Sequence, residues 1–482
     1  MKEEIFRNVY AVISIFMFLI GLIFSNLNLM LLGIIALILN NVIISLLDMK
    51  NNVFFLMFNI TFFVLNIGGK FFRTVTEVNW TDEFSFSINR HTLVLLYISL
   101  LSVLCGKYIY QCIRMKRKRK SQKKIFEYEK VNREYVRKIS KIFFYITIII
   151  SCIVSVEKII YVQQNSYLSL FQTFSSKIPG LILKISETSL VFFLIYICTF
   201  PEKKKIIPVI SIFLLQALLN LMTGSRGDTV LALFLVVMYF IVRQYIMGEN
   251  YFNKKTVTIG MIGLIFLIIF LGAFNLLRNG IKIENFNIVN QFIQFFVDQE
   301  TSGKVISYAE QYKNLLPDTN YNYTFGPFIA YFREGTIAKI INFGNVNSMK
   351  YNTVEMALYG NDFGSTISYL VLGEQYLNGH GLGTHYIAEL FTDYSYLGVI
   401  IYNIVLGMIL ILLANVNREN WIGFTYSFII VLDLIYIHKR PAMAWVVNLL
   451  SIPNILSICM VYYGAKFIDN RRIKKDENIM DS

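Results

Sequence analysis

The sequence carries little charge for its length. Of its 482 residues, 16% are Asp, Glu, Lys or Arg, whereas a soluble domain carries about a quarter. Hydrophobic residues make up 55% of the chain, and the mean hydropathy is +0.54. Apolar segments of about 17–25 residues recur from end to end, and each is long enough to cross a bilayer as a helix. This composition excludes a soluble globular protein and predicts an all-α polytopic membrane protein.

Cysteine clusters, a leader cleavage site and internal repeats are also missing. The five cysteines lie in or beside apolar segments and lack metal-ligand spacing, so we expect buried free thiols. No small-residue cleavage site follows the first apolar run, residues 9–24, which we therefore interpret as a retained helix. The lack of an evident repeat disfavours an inverted-repeat transporter.

The charge that is present lies mainly in basic clusters between apolar segments. Hydropathy predicts about twelve spans. They are residues 8–24, 29–47, 53–67, 92–111, 142–160, 179–200, 206–222, 229–247, 257–275, 394–414, 421–437 and 442–463. If the chain starts inside, nearly every Lys/Arg cluster falls on one side, which predicts that both termini are cytoplasmic. The formal net charge of +14 then indicates an inner membrane surface, and we expect an amphipathic helix on anionic lipid within residues 112–141 rather than a nucleic-acid site.

Three regions follow from this topology. Residues 1–275 hold spans one to nine, with a basic cytoplasmic loop at 112–141 that contains thirteen Lys/Arg and three Glu. Residues 276–393 form a large extracytoplasmic cap loop, in which "IVNQFIQFFVDQ" and "SYLVLGEQYL" (368–377) have helical periodicity. Residues 394–482 hold spans ten to twelve and a basic cytoplasmic tail.

Four arginines fall on the predicted outer side, where the positive-inside tendency should deplete them. These are Arg226, Arg278, Arg333 and Arg440. A planar guanidinium binds phosphate or pyrophosphate through two hydrogen bonds, which would explain cations at membrane level. The alternatives are that such an arginine only reaches lipid phosphate, or that it pairs with the neighbouring Asp228 or Glu334.

The first of these arginines lies in "TGSRGD", a predicted tight outer turn between spans seven and eight. Its neighbours Ser225, Gly227 and Asp228 would contribute to a binding site, with Asp228 orienting the guanidinium. The match to the adhesion tripeptide Arg-Gly-Asp is coincidental, because this tripeptide lies between two predicted spans.

A second candidate is "GHGLGTHYIAELFTDYSYLGV", residues 379–399. Gly381 and Gly383 belong to a run of alternating glycines that allows close approach by a ligand. His385, Glu389 and Asp393 follow at four-residue steps, and His380 lies just before them, so these side chains suit acid–base chemistry or sugar binding. The alternative is that they only cap and solubilise the start of span ten. We expect no metal, because the histidines lack zinc spacing.

Together these features resemble the O-antigen polysaccharide polymerase (Wzy) family. The resemblance rests on the mid-chain "TGSRGD" turn, the single large outer loop after span nine, and the stretch G-x-G-x-G-x-x-Y-I-A-E-L-x-x-D-x-x-x-L-G at 379–398. It implies a GT-C-like membrane glycosyltransferase that joins undecaprenyl-pyrophosphate-linked repeat units into O-antigen, capsular or exopolysaccharide at the outer face of the bacterial cytoplasmic membrane. Its implied partners are that lipid-linked substrate, membrane lipids, and the flippase and chain-length regulator of the same pathway.

The implied reaction assigns roles to the candidates. Cations are needed where charge grows on the departing pyrophosphate, and Arg226, Arg278 and Arg333 are predicted as catalytic, with Arg440 binding substrate. His380, His385 and Glu389, in that order, are the predicted bases. We expect inversion, no metal and no cofactor. The alternatives are a ligase-like transferase with another acceptor, and a lipid-linked oligosaccharide flippase or other transporter.

Overall fold

The computed structural model describes residues 8–120, 132–165, 167, 169–278, 287–317, 322–342, 346, 349–416 and 420–480, and every regular element in these ranges is a helix. The α-helices are α1 (Val9–Ile23), α2 (Leu27–Leu47), α3 (Met49–Phe62), α4 (Gly68–Val75), α5 (Phe86–Lys120), α6 (Arg133–Gln164), α7 (Ser169–Gln172), α8 (Gly180–Glu187), α9 (Ser189–Cys198), α10 (Lys203–Met222), α11 (Arg226–Met247), α12 (Lys254–Arg278), α13 (Ile288–Gln299), α14 (Thr301–Gln311), α15 (Gly326–Arg333), α16 (Thr336–Ile341), α17 (Val354–Tyr359), α18 (Phe363–Leu372), α19 (Glu374–Leu377), α20 (Tyr386–Ala414), α21 (Trp421–Ile435), α22 (Ala444–Leu449) and α23 (Ile452–Met480). A π-helical turn (Phe63–Ile67) joins α3 to α4, and short 3-10 turns lie at Thr81–Glu83, Lys313–Leu315 and Ile437–Lys439.

The prediction of an all-α polytopic protein is confirmed. Ten helical segments among the described residues are long and apolar enough to cross a membrane, and each coincides with a predicted span. The two remaining predicted spans coincide with α1 and α21, which are apolar but only 15 residues long. A perpendicular crossing needs about 20 residues, so the count of twelve stays a prediction.

The chain divides into two compact units. The first comprises Met1–Ile113, Gln244–Asn415 and Asp433–Val447, and the second comprises Arg114–Arg243, Val416–Leu432 and Asn448–Ser482. In the second unit, aromatic side chains join the helices, as in the stacked rings of Phe193 and Phe213, whose centroids are 4.1 Å apart. The buried Arg243 donates to Pro201 O at 2.6 Å and so ties the end of α11 to the start of α10.

In the first unit, glycines allow the long helices to pack backbone to backbone. A Cβ on Gly106 of α5 would overlap Ile404 O, and one on Gly407 of α20 would overlap Val103 O. Close approach at small residues is a common way for apolar helices to associate in lipid, where the hydrophobic effect does not drive them together. This contact fixes α20 against α5.

The direction of α20 is set by α3, which runs antiparallel to it. Asn415, just after α20, donates to Asn51 O near the start of α3 at 3.4 Å. His385, just before α20, bonds to Asn66 beyond the end of α3. The helix is interrupted at Ser395, which has φ +55° and ψ −158°.

The cap segment differs from its prediction in one element. The predicted helix at "IVNQFIQFFVDQ" is confirmed as α13, and α14 follows it directly. The single helix predicted for 368–377 is wrong, because Gly373 adopts φ +55° and separates α18 from α19. The basic loop predicted at 112–141 is entered from α5, which continues to Lys120, and α6 begins at Arg133. Residues 121–131 of that loop, with much of the predicted amphipathic helix, lie outside the described residues.

Candidate active site

The glycine-rich stretch ends on a histidine that caps α20. Gly379 and Gly383 have φ of +86° and +76°, which explains why glycine stands at both positions. His385 is the N-cap of α20, and its Nδ1 accepts from the backbone N–H of Ile387 at 3.2 Å. Its side chain is fully buried. The stretch therefore places the His385 imidazole in the interior of the protein rather than in solvent.

Glu389, one turn into α20, ties together two segments that are distant in sequence. Its Oε1 accepts from Thr384 Oγ1 at 2.6 Å, and its Oε2 accepts from the backbone N–H of Ala442 at 2.8 Å. The carboxylate is 1% exposed. It thereby fixes the segment 436–442, which we call the basic turn, beside the start of α20.

A second link between the same segments passes through Asn66. Its Oδ1 lies 2.8 Å from His385 Nε2, and its Nδ2 lies 3.2 Å from His438 Nδ1 in the basic turn. Asn66 belongs to the π-helical turn, in which the N–H of Gly68 bonds to Phe63 O. Such turns are rare and often occur at functional sites. All three side chains of this His–Asn–His relay are buried.

The basic turn carries two cations held by polar partners. Lys439 Nζ donates to Gln299 Oε1 at 2.7 Å, at the joint between α13 and α14. Arg440 pairs with Asp433, and its guanidinium lies 5.8 Å from the centre of the Tyr436 ring. Asp433 is buried, whereas a third of the Arg440 side chain is exposed. Arg440 is thus charged, oriented and accessible.

The joint between α13 and α14 also faces α4. Lys70 forms a buried ion pair with Glu300, which immediately follows α13. Two glycines make room for this contact, since a Cβ on Gly69 would overlap the Glu300 carboxylate and one on Gly68 would lie 2.7 Å from Phe296 Cδ1. A buried charge is tolerated only with a partner, so Lys70 and Glu300 hold α4 and the joint in one register.

One turn further along α4, Arg73 joins a second charged group. Glu83 accepts from Arg73 Nη1 at 2.6 Å and pairs with Lys304 Nζ of α14 at 2.7 Å. Partial burial opposes ionisation of Glu83, but hydrogen bonds from Lys304 and Arg73 hold the pKa of its carboxyl below the usual value. One carboxylate therefore serves two half-buried cations, and this group keeps a net positive charge.

These contacts form one connected cluster in the first unit, which we call the junction site. It consists of Asn66, Lys70, Arg73, Glu83, Gln299, Glu300, Lys304, His385, Glu389, Asp433, His438, Lys439 and Arg440. Its five Lys/Arg outnumber its four Asp/Glu, so it suits an anionic ligand. Both histidines lie outside the helices that are long enough to span a membrane. Burial lowers the pKa of His385 to about 3, and burial together with His385 lowers that of His438 well below its usual value.

The structure brings three predicted site residues into this cluster: His385, Glu389 and Arg440. Asp393 lies on α20 one turn after Glu389, and its Oδ2 accepts from Thr324 N at 2.7 Å. His380 is exposed on the preceding loop, and Leu382 N between Gly381 and Gly383 bonds to Ser368 Oγ at 3.0 Å.

The other predicted residues lie elsewhere. Arg333 is exposed at the end of α15, and Arg278 ends α12, with a side chain outside the described part of the structure. The tight turn at "TGSRGD" is confirmed, since only residues 223–225 separate α10 from α11. Gly224 has φ +95° there, whereas Gly227 lies in the first turn of α11 with Arg226 and Asp228, and Ser225 Oγ donates to Asp228 Oδ2 at 3.0 Å. These residues belong to the second unit.

Several residues of the junction site were missed in the sequence. Lys70 could have been identified from the sequence, because a lysine at the edge of the apolar run "FVLNIGGKFF" needs a polar or charged partner. His438 and Lys439 stand beside Arg440 in "HKRP". Asn66 could not have been identified, because the sequence does not indicate which distant residues an asparagine in an apolar helix contacts. Among the described residues, no group of three or more His, Cys, Asp or Glu side chains could hold a metal ion.

A comparison with protein families agrees with this architecture. The family model for the O-antigen polysaccharide polymerase Wzy matches residues 6–472, nearly the whole chain. The chain belongs to this family. Its membership supports polymerisation of O-antigen repeat units as the activity of a multi-pass bacterial membrane protein. No match was found among curated proteins or among solved structures.

Proposed function

We propose that the protein polymerises repeat units carried on undecaprenyl pyrophosphate, at the outer face of the cytoplasmic membrane, and that the junction site holds the pyrophosphate of the donor. A hydroxyl of the acceptor unit attacks the anomeric carbon of the growing chain. The new glycosidic bond forms as the bond to the pyrophosphate oxygen breaks, and the hydroxyl proton passes to a base. One displacement without an enzyme nucleophile inverts the anomeric centre, and five clustered cations make a metal unnecessary.

The observation that carries this proposal is that the basic turn with Lys439 and Arg440 is bonded to the α13–α14 joint through Gln299, while Lys304 of α14 shares Glu83 with Arg73 of α4. Negative charge grows on the leaving pyrophosphate, and preorganised donors that meet this charge lower the barrier. Arg440 is the strongest candidate contact, since Asp433 and Tyr436 orient it while a third of its side chain is exposed.

Arg226, Arg278 and Arg333, which the sequence predicted as catalytic, are assigned here to binding the second lipid carrier or the glycan. Arg226 would act with Ser225, Gly227 and Asp228, while Arg278 and Arg333 would act from the end of α12 and from the cap. With two substrates that each bear a pyrophosphate, cations outside the junction site are chemically useful. Gly381, Gly383 and Asp393 would line the path of the sugar.

For the base, the geometry favours His380 over the other two candidates. Both nitrogens of His385 already have partners, and both carboxylate oxygens of Glu389 accept hydrogen bonds. We therefore assign these two residues to positioning. His380 is exposed on the glycine-rich loop and can meet a sugar hydroxyl.

The test uses purified protein in lipid nanodiscs with a defined undecaprenyl-pyrophosphate-linked repeat unit, and glycan ladders are resolved on gels. Lys439→Ala removes the cation that donates to Gln299 at the α13–α14 joint. We expect its initial rate to fall by about 100-fold, the usual loss for one donor at a developing anion. The matched control, Lys184→Ala, removes an exposed cation of the second unit and should leave the rate unchanged.

Arg440→Lys keeps the charge beside Asp433 but loses the planar fork, and it should also slow the reaction. If Lys439→Ala and Arg440→Lys give the same glycan ladders as the wild type, the junction site has no part in the reaction. A ligase is distinguished in cells. Deletion of a ligase leaves full-length glycan on its lipid carrier, whereas deletion of a polymerase leaves single repeat units.

A further inference from the structure

The His–Asn–His relay has only one consistent arrangement of protons. The backbone N–H of Ile387 donates to His385 Nδ1, so this nitrogen carries a lone pair. In a neutral imidazole the proton must then be on Nε2, which donates to Asn66 Oδ1 at 2.8 Å. The Asn66 amide donates in turn to His438 Nδ1 at 3.2 Å. His438 is therefore also the Nε2–H tautomer.

The opposite orientation of the Asn66 amide is excluded on chemical grounds. It would direct an N–H to His385 Nε2, and His385 would then have to accept at both nitrogens, which neither a neutral imidazole nor an imidazolium can do. Asn66 is consequently the residue that sets the tautomer of His438. An amide is required for this task, because it accepts at one end and donates at the other.

The far end of the relay is a buried N–H. His438 Nε2 has no hydrogen-bond partner within the described residues, and its ring packs against Phe58, Phe62 and Tyr386. Lys439 and Arg440 follow His438 directly in the chain. The hydrogen bond from Asn66 to His438 therefore anchors the turn that carries both cations.

We propose that Asn66 is a positioning residue for the polymerase reaction. Its amide, presented by the π-helical turn, holds His438 in one tautomer and thereby holds the basic turn against the start of α20. The role of Lys439 and Arg440 rests on the function proposed above, whereas the tautomers follow from the hydrogen bonds alone. The two can fail separately.

The first measurement is the ¹⁵N NMR spectrum of wild-type protein labelled at histidine, in nanodiscs at neutral pH. The chain has only four histidines, and single His→Gln variants assign them. We expect both His385 and His438 to be neutral, with Nδ1 unprotonated and Nε2 protonated. An Nδ1–H tautomer or a charged ring at either position would overturn the relay, whatever the activity is.

The second measurement uses Asn66→Asp, which has the same shape but cannot donate to His438. We expect His438 Nδ1 to become protonated in the spectrum. Turnover per folded molecule should fall by about 10- to 100-fold, the range seen when a supporting partner of a metal ligand is removed, with a smaller change in KM. Asn66→Ser, which leaves no charge, should lower turnover in the same way and serves if the aspartate variant does not fold.

The matched controls are Asn59→Asp and Asn59→Ser. Asn59 is equally buried on α3, and its two hydrogen bonds go to Asn41 and Phe55 O. These variants should reduce the yield of folded protein without changing turnover per folded molecule or the His438 resonances. If the Asn66 variants behave like the Asn59 variants, Asn66 is only structural and the proposal is wrong. If no wild-type ladder forms while the tautomers are as expected, the proposed function fails and the relay stands.

Discussion

At the scale of single residues, the buried carboxylate of Glu389 holds two distant segments of the chain together through hydrogen bonds. Its two oxygens accept from Thr384 and from the Ala442 backbone. A glutamine can do nearly the same, because its oxygen accepts from Ala442 N–H and its amide donates to the Thr384 hydroxyl. We expect Glu389→Gln to fold and to polymerise within about threefold of the wild type, since no hydrogen bond of the pair needs a charge.

Glu389→Ala is the contrasting variant. It leaves the Ala442 N–H without an acceptor, and a buried unsatisfied group costs about 1–3 kcal/mol. Its thermal midpoint should fall together with its ladder-forming activity. A folded but inactive Glu389→Gln protein would contradict the positioning role and make Glu389 the base.

The buried histidines predict how stability depends on pH. An unfolded histidine takes up a proton near pH 6.5, whereas His385 in the fold does so only near pH 3. Between these values the unfolded chain binds more protons, so the free energy of unfolding should fall as the pH is lowered. Each such histidine contributes up to about 1.4 kcal/mol per pH unit.

The thermal midpoint of the protein in nanodiscs, measured from pH 7 to pH 4.5, checks this dependence. Carboxylates also titrate in this range, so the informative quantity is the difference from His438→Asn, which lacks one titrating ring. We expect a shallower decline for this variant. Parallel curves for variant and wild type would show that His438 takes up its proton in the fold as it does in water.

At the scale of elements, the meeting of α4 with the α13–α14 joint depends on a glycine. Gly69→Ala would place a methyl group on the Glu300 carboxylate, and the Lys70–Glu300 pair would have to move. Overpacking of a core typically costs about 1–3 kcal/mol, so we expect a lower thermal midpoint and a slower reaction. In Gly263→Ala the added methyl meets nothing within 4 Å, and this control should match the wild type.

The helices also show how much of the fold could be predicted from the sequence. Apolar length and basic clusters were sufficient to predict the helices of the ten long spans, because lipid requires a closed helix wherever the chain crosses. The stretch at 379–389 and Arg440 were both identified, but separately. Their union depends on Asn66, which lies 372 residues from His438, and on a π-helical turn that no local pattern specifies. Contacts over such distances come from tertiary packing.

At the scale of the whole molecule, helix directions within the first unit bear on the number of crossings. Asn415 lies beside Asn51, whereas Ala442 lies beside Glu389 at the opposite end of α20. The chain therefore leaves the first unit at one end of α20 and re-enters it at the other, and α21 is the described helix in the intervening sequence. Similarly, Ala11 N bonds to Asn40 Oδ1 and Ser14 Oγ to Gly33 O, so α1 runs antiparallel along α2. Helix α1 thus follows α2 closely enough to cross with it, and the positions of Asn415 and Ala442 at opposite ends of α20 are those expected if α21 crosses as well.

If α1 and α21 cross, both chain ends lie in the cytoplasm. If α1 fails to cross, the N-terminus moves to the outer side, and if α21 fails, the C-terminus does. Fusions of a fluorescent protein that matures only in the cytoplasm to either end distinguish these cases, and we expect fluorescence from both. Glu374→Cys, exposed in the cap, should react with an impermeant maleimide in intact cells, whereas Glu202→Cys should react only after the cells are opened. A non-fluorescent fusion at the N-terminus would show that α1 does not cross, and one at the C-terminus would show that α21 does not. Protection of Glu374→Cys from the maleimide in intact cells would place the cap, and the reaction, on the inner side.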